Sequence, residues 1–314
     1  MKRKIYDCFS FYNELDLLEI RLTELFDKVD YFVIAEANVT YANNPRSYYV
    51  LDNWERFKPW KDKIRHIKVE DMPGAPEETR VNPFTWQQET FKNMWYNERH
   101  QRNCITRGLT DADGSDVLFI NDTDEISRAS TIDIIRNDET HNLWGLRCPI
   151  FNYKFNYMQT RPLVFQVFGQ AFTVDRSKTF PTLSYSRETY GGCWNSRTKI
   201  YSDGTEMCIP HSGWHFSSLG DEKHVANKFK NYAHDELAWT VENLNIDQLI
   251  SESRQNQNPI EKSKFEPVIL DDYFPKAVTD NKEKYKHFIL ENATETVMDK
   301  LKIIDMNSSQ EYSY

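Results

Sequence analysis

Apolar positions open the chain in two rhythms. IYDCFSF at residues 5–11 reads as a short strand. Asn13 then offers an N-cap, with Glu14 and Asp16 in a first turn that favours acids. Leu15, Leu18, Leu22, Leu25 and Val29 recur at helical spacing, which predicts an amphipathic helix over 14–28. YFVIAEA at 31–37 is nearly unbroken apolar, as in a strand covered on both faces of a parallel sheet. Strand, helix and strand make a βαβ unit, whose ligand edge lies at the strand C-termini.

IRHIKV at 64–69 predicts another strand. Pro73, Gly74, Pro76 and Pro83 mark 72–84 as a loop. Residues 86–109 read as a long helix, with Phe91, Met94, Trp95, Ile105 and Leu109 near one stripe. After Gly114, Val117-Leu118-Phe119-Ile120 forms a strand that runs into Asn121-Asp122-Thr123-Asp124-Glu125. Further strand-like runs lie at 143–151 and 163–174, a Gly-Gly loop at 191–192, and a helical stretch at 221–243. Residues 245–264 are polar, a surface excursion, and 265–291 are periodic enough to pack. No repeat is visible. The expected organisation is one catalytic domain over 1–291, then a tail at 292–314 that frays.

Composition narrows the classes. Eight Trp, 17 Tyr and 19 Phe in 314 residues exclude a disordered chain. A net charge of −9 argues against a general nucleic-acid backbone binder, while leaving room for a local basic site for one phosphorylated ligand. No apolar run reaches the roughly 18 residues of a membrane span. Met1-Lys2-Arg3-Lys4 is followed at once by Ile5-Tyr6-Asp7, which breaks a secretory h-region, so a cytoplasmic location is expected. Five cysteines without C-x-x-C spacing suit reduced thiols.

The sharpest chemical signal is Asp122-Thr123-Asp124-Glu125 at the end of an apolar strand. Carboxylates at i and i+2 of an extended chain point to one side. Such a cluster repels itself unless something positive sits there; a hard divalent cation binds carboxylate and phosphate oxygens together. The plainer reading is a solvated acidic turn that caps a helix starting near Ser127 or Ser130. Arg102-Asn103 would suit a phosphate, ribose or base edge, yet Glu98 stands at ion-pair spacing before Arg102, and spacing alone favours that pair. His211 and His215 are four apart, but Pro210 and Gly213 oppose the helix a two-His zinc site needs. His215 could still reach a cation or diphosphate from a loop. Trp214 either stacks on a sugar or fills the core, the core being the default. In His234-Asp235-Glu236 a carboxylate could serve as a general base or simply end a helix. Glu36 stands where open α/β sheets hold ligands, or caps the following turn.

IYDCFSFYNELDLLEIRLTELFDKVDYFVIAEAN, HQRNCITRGL, DVLFINDTDEISR, GWHFS and the K-x-x-x-Y-x-H-x-E stretch from Lys228 to Glu236 follow in order. Together with FPKAVTDNKEKYKHF they resemble glycosyltransferase family 17, a family that includes enzymes adding N-acetylglucosamine to N-glycans. The resemblance implies an α/β, GT-A-type Rossmann-like fold, a mixed central sheet flanked by helices. It implies an inverting transferase that uses Mn²⁺ or Mg²⁺, a UDP-sugar donor, namely UDP-N-acetylglucosamine, and a glycan acceptor. By that resemblance Asp122, Asp124 and His215 are metal and diphosphate residues. Arg102 and Asn103 face the nucleotide, and Glu125 or Glu236 is the base; Glu36 joins the nucleotide residues on its place at the sheet edge alone. Without an anchor the acceptor is open to a microbial or viral glycan. Rival readings are a metal-dependent phosphohydrolase acting on a sugar nucleotide and a non-catalytic carbohydrate-binding module.

Overall fold

The structure, a computed structural model, describes residues 3–81, 87–161, 166–188, 206–220, 227, 228, 231 and 264–302. In chain order the first elements are β1 (Ile5–Phe11), α1 (Leu15–Leu25), β2 (Tyr31–Ala37), α2 (Tyr49–Asp52), α3 (Trp54–Phe57) and β3 (Ile64–Val69). β4 (Glu77–Val81), β5 (Gln88–Lys92), α4 (Trp95–Asn103), β6 (Val117–Asp122), β7 (Glu125–Ser127) and α5 (Ala129–Asn137) follow. Then come β8 (Leu143–Cys148), β9 (Ile150–Asn152), β10 (Tyr157–Arg161), β11 (Gln166–Thr173), α6 (Val174–Ser177) and α7 (Leu183–Ser186). β12 (Glu206–Ile209), β13 (Gly213–Ser217) and β14 (Lys264–Pro267) complete the strands used below.

The architecture is mixed α/β. A seven-stranded sheet has the order β12-β8-β11-β6-β1-β2-β3. β6, β1, β2 and β3 are mutually parallel, as the apolar runs at 31–37 and 117–120 predict, while β11 enters antiparallel between β6 and β8. Phe32, Val33, Ile34, Phe119 and Ile120 are fully buried because both sheet faces are covered. From β1 the chain steps outward to β2 and β3, then returns to place β6 on the other side of β1. The connections therefore diverge between β1 and β6, which opens a crevice at their C-terminal ends. There Ser10 of β1 is the register partner of Asp122 of β6.

A second sheet, β14-β10-β9-β13-β7, starts where the acidic turn ends. Its core joins Ile126, Phe151, Phe155, Trp214, Phe216, Phe274 and Val278 to Leu17 and Ile20 of α1. The opposite face of α1 gives Leu18, Leu22 and Leu25 to the main-sheet core. One helix thus serves two cores, which accounts for apolar residues outside its predicted stripe. Val297 and Leu301, in the stretch expected to fray, are buried in the second core.

Three local expectations change. Asn13 is not the cap of α1: its carbonyl accepts the Leu15 N–H at 2.9 Å, while Glu14 Oε2 accepts from the Tyr12 and Asn13 amides at 3.2 and 3.0 Å. The 72–84 loop contains β4, and the long helix over 86–109 is β5, α4 and a 3₁₀ turn at Cys104–Gly108. β4 and β5 pair antiparallel, with Glu77 opposite Lys92 and Thr79 opposite Thr90. Helical spacing counted over 86–109 could not see that the first part has a strand partner. Cys8, Cys104, Cys148 and Cys208 are free thiols. Among the described residues no helix is long and apolar enough to cross a membrane.

Candidate active site

The turn after β6 is shaped from below. Thr123 Oγ1 donates to the Ser10 carbonyl at 2.7 Å, tying the turn to β1. Arg21, fully buried on α1, grips Asp7 with Nε and Nη2 at 2.7 and 2.6 Å. Its Nη1 donates to the carbonyls of Asp122 (2.7 Å), Glu125 (3.0 Å) and Thr123 (3.3 Å). β7 then pairs with β13, which sets His215 opposite Glu125. Gly213 permits that approach, since a Cβ there would collide with the Ile126 carbonyl. β13 is extended from Gly213 onward, so His211 and His215 do not face one metal; His211 Nδ1 instead lies 3.2 Å from the Tyr273 hydroxyl.

The acids of the turn each meet cations from distant parts of the chain. Asp122 Oδ1 accepts from Arg102 at 3.0 Å and Oδ2 from Arg187 at 3.2 Å. Burial pushes the Asp122 carboxyl up, but Arg187 and Arg102 more than offset it and hold it at about 2. Asp124 Oδ2 accepts from Lys228 at 3.2 Å, and Oδ1 lies 3.7 Å from His215 Nε2. Glu125 is braced by Arg187 and by the Asp122 amide at 2.9 Å. Its carboxyl stays above the ordinary range because burial outweighs Arg187.

Several sequence expectations are revised by this geometry. Glu125 is 3% exposed, accepts from the Asp122 amide and from Arg187, and so braces the turn. Glu36 is fully buried and accepts from Arg46, the Tyr49 and Val50 amides and, opposite His66 Nε2, a fourth partner. A carboxylate offers about four lone-pair sites, so none is left for a nucleotide. Asn103 Oδ1 accepts from the Ser184 amide at 3.0 Å, fastening α7 to α4. Arg102 makes the expected pair with Glu98 (2.7 Å) and also reaches Asp122. Trp214 is core, with Nε1 donating to the Tyr273 carbonyl. Glu236 lies outside the described residues.

Arg21, Arg187 and Lys228 carry much of the site and were not assigned from spacing. Arg21 had a signal, a charge set among Leu17, Leu18, Ile20 and Leu22; Arg187 had none.

Asp122, Asp124 and His215 do not stand within 4.8 Å of one another as a three-donor set, and Asp122 carries an arginine on each oxygen. Among the described residues the group of three donors within 4.8 Å of one another is Asp71, His100 and Cys104, where Arg107 already forks onto Asp71 at 2.9 and 2.6 Å. Asp124 and His215 do suit a hard divalent ion as a pair. Ligands at roughly 2.1 Å on adjacent octahedral corners stand about 3 Å apart, and theirs are 3.7 Å apart.

Burial lowers the His215 proton affinity, but Asp124, aided by Glu125 against Lys228, raises it overall. Burial would raise Asp124, yet Lys228 and His215 hold it well below the usual range. A raised imidazole stabilises the fold below its unfolded value of about 6.5 and stops doing so as pH rises through its folded value. The lowered carboxylate stabilises above about 3.9 and stops as pH falls through its folded value. In melts of metal-free protein, wild type should lose thermal stability relative to His215→Asn as pH rises from about 6 to 8.5. Parallel curves for the two proteins would contradict the pair.

Residues 1–164 match the family model described as Glycosyltransferase family 17, more than half of the chain. No curated protein matches. Among solved structures, HddC from Yersinia pseudotuberculosis has a TM-score of 0.36 and 9% identity, covering 66% of this chain and 90% of that one. The mannosyltransferase PcManGT from Pyrobaculum calidifontis, in complex with GDP-Man and Mn²⁺, has a TM-score of 0.39 and 10% identity, covering 99% and 81%.

Proposed function

The chain belongs to glycosyltransferase family 17, and on that premise we propose a metal-dependent, inverting transfer of N-acetylglucosamine from UDP-N-acetylglucosamine to a glycan hydroxyl, on a GT-A-type fold. The observation that carries the site assignment is the Asp122–Glu125 turn at the β1/β6 crevice, ringed by Arg102, Arg187, Lys228 and His215. The cations already balance the acids, so a diphosphate entering here would bring a divalent ion to compensate its charge.

Asp124 and His215 would hold Mn²⁺ or Mg²⁺, which when bound supplies charge stabilisation to the departing diphosphate. Arg102 keeps Asp122 ionised and in place. Lys228 would exchange its carboxylate for a phosphate oxygen as the nucleotide enters. Glu236, eight residues beyond Lys228, is the proposed base that takes the proton of the attacking hydroxyl. One displacement at the anomeric carbon forms the new glycosidic bond and breaks the bond to the diphosphate.

The test is UDP release from UDP-N-acetylglucosamine by the purified protein with Mn²⁺, with and without a panel of glycans. Release that needs an acceptor, and stops with EDTA, is expected. Equal release without any glycan would turn the reading to a hydrolase. Glycan binding with no release under any condition would turn it to a binding module.

A further inference from the structure

Three buried polar atoms around Asp122 have no hydrogen-bond partner among the described residues: Ser10 Oγ, Glu98 Oε2 and Arg187 Nη1. They come from three separate parts of the chain: Glu98 and Arg187 belong to the network on Asp122, and Ser10 stands on the neighbouring strand. Ser10 is the register partner of Asp122. Glu98 Oε1 holds Arg102, which holds Asp122 Oδ1. Arg187 Nη2 bridges Asp122 Oδ2 and Glu125 Oε1.

Buried polar groups are nearly always satisfied, because a desolvated donor without an acceptor is unfavourable. The arginine is not a loose surface group. Gln170 Nε2 on β11 donates to the carbonyls of Ser186 and Arg187 at 3.0 and 3.4 Å, which anchors its backbone. One arm of the guanidinium is spent on the acids, and the other is held inside with no acceptor among the described residues. A guanidinium nitrogen is a donor only, and Glu98 Oε2 is an acceptor only. Together they fit a ligand that brings both phosphate oxygens and hydroxyls, as a ribose diphosphate does. Guanidinium forks also suit phosphate better than any other common anion except carboxylate.

We propose that Arg187 is a donor-binding residue whose Nη1 takes an oxygen of the nucleotide's diphosphate while Nη2 stays on Asp122 and Glu125. The proposal rests on the nucleotide-sugar reading above. It gives Arg187 two tasks: it keeps the first aspartate ionised and in place, and it adds a phosphate contact that does not depend on the metal.

Calorimetric titration of UDP and of uridine into wild type, Arg187→Gln and Arg187→Lys, in EDTA, tests it; thermal melts report folding. Arg187→Gln should weaken UDP about 10- to 100-fold, the range for one hydrogen bond to a charged group, and leave uridine unchanged. Arg187→Lys, which keeps the charge without the second arm, should fall between. Wild type that binds UDP while Arg187→Gln binds it equally well would overturn the proposal and leave the nucleotide reading standing, the orphan arm then being served by water. Wild type that binds neither UDP nor UDP-N-acetylglucosamine, with or without Mn²⁺, would overturn both. Should Arg187→Gln fail to fold, Arg187→Lys decides: weakened UDP with intact uridine supports the contact, and equal affinity for UDP removes it.

Discussion

Asp124→Ala should lower transfer from UDP-N-acetylglucosamine by about 10³-fold or more, roughly 4 kcal/mol of transition-state stabilisation. The carboxylate is the point where Lys228 at 3.2 Å and His215 at 3.7 Å converge, and it is the proposed anchor for the divalent ion. Taken as three acids in four residues, the turn would gain stability from losing one of them. The structure reverses that sign, because the partners of Asp124 are cations. Without it, Lys228 and His215 lose the carboxylate on which they converge in a partly buried setting, and the fold should lose about 1–3 kcal/mol. Urea denaturation and initial-rate kinetics read the two effects separately. A mutant that turns over like wild type would end the assignment, and one more stable than wild type would contradict the ion-pair geometry.

Arg21→Met should produce the largest loss of stability, about 3–5 kcal/mol, since it strands the Asp7 carboxylate in a fully buried setting. It also removes the donors to three carbonyls of the Asp122–Glu125 turn. The paired change Arg21→Met with Asp7→Leu removes both buried charges and should regain a good part of the stability. Transfer should stay low in that double mutant, because the turn still lacks its clamp. Denaturant midpoints compared with kcat separate the roles. Full recovery of kcat alongside stability would reduce Arg21 to a packing residue.

Much of the frame was legible before any coordinates. The unbroken apolar runs at 31–37 and 117–120 announced covered parallel strands, and the acids of 122–125 marked the turn that ends β6, because both signals lie within a few consecutive residues. Backbone geometry translates such local patterns directly into strands and turns. The β4–β5 hairpin was not legible, since half of its evidence sits at 77–81 and its other half read equally well as helix.

The occupancy of each carboxylate was settled only by folding. Glu36 and Glu125 looked available in the chain, yet one is filled by groups at 46, 49, 50 and 66 and the other is held by Arg187 and the Asp122 amide. Arg187 and Lys228 reach the turn from 65 and 104 residues away. Charge pairing acts through space at a few ångströms, whereas spacing along a chain reports only on neighbours within a turn or two. The linear order could therefore name the acids, while which cation meets which acid, and which polar atom has no partner among the described residues, followed from how the strands and loops converge.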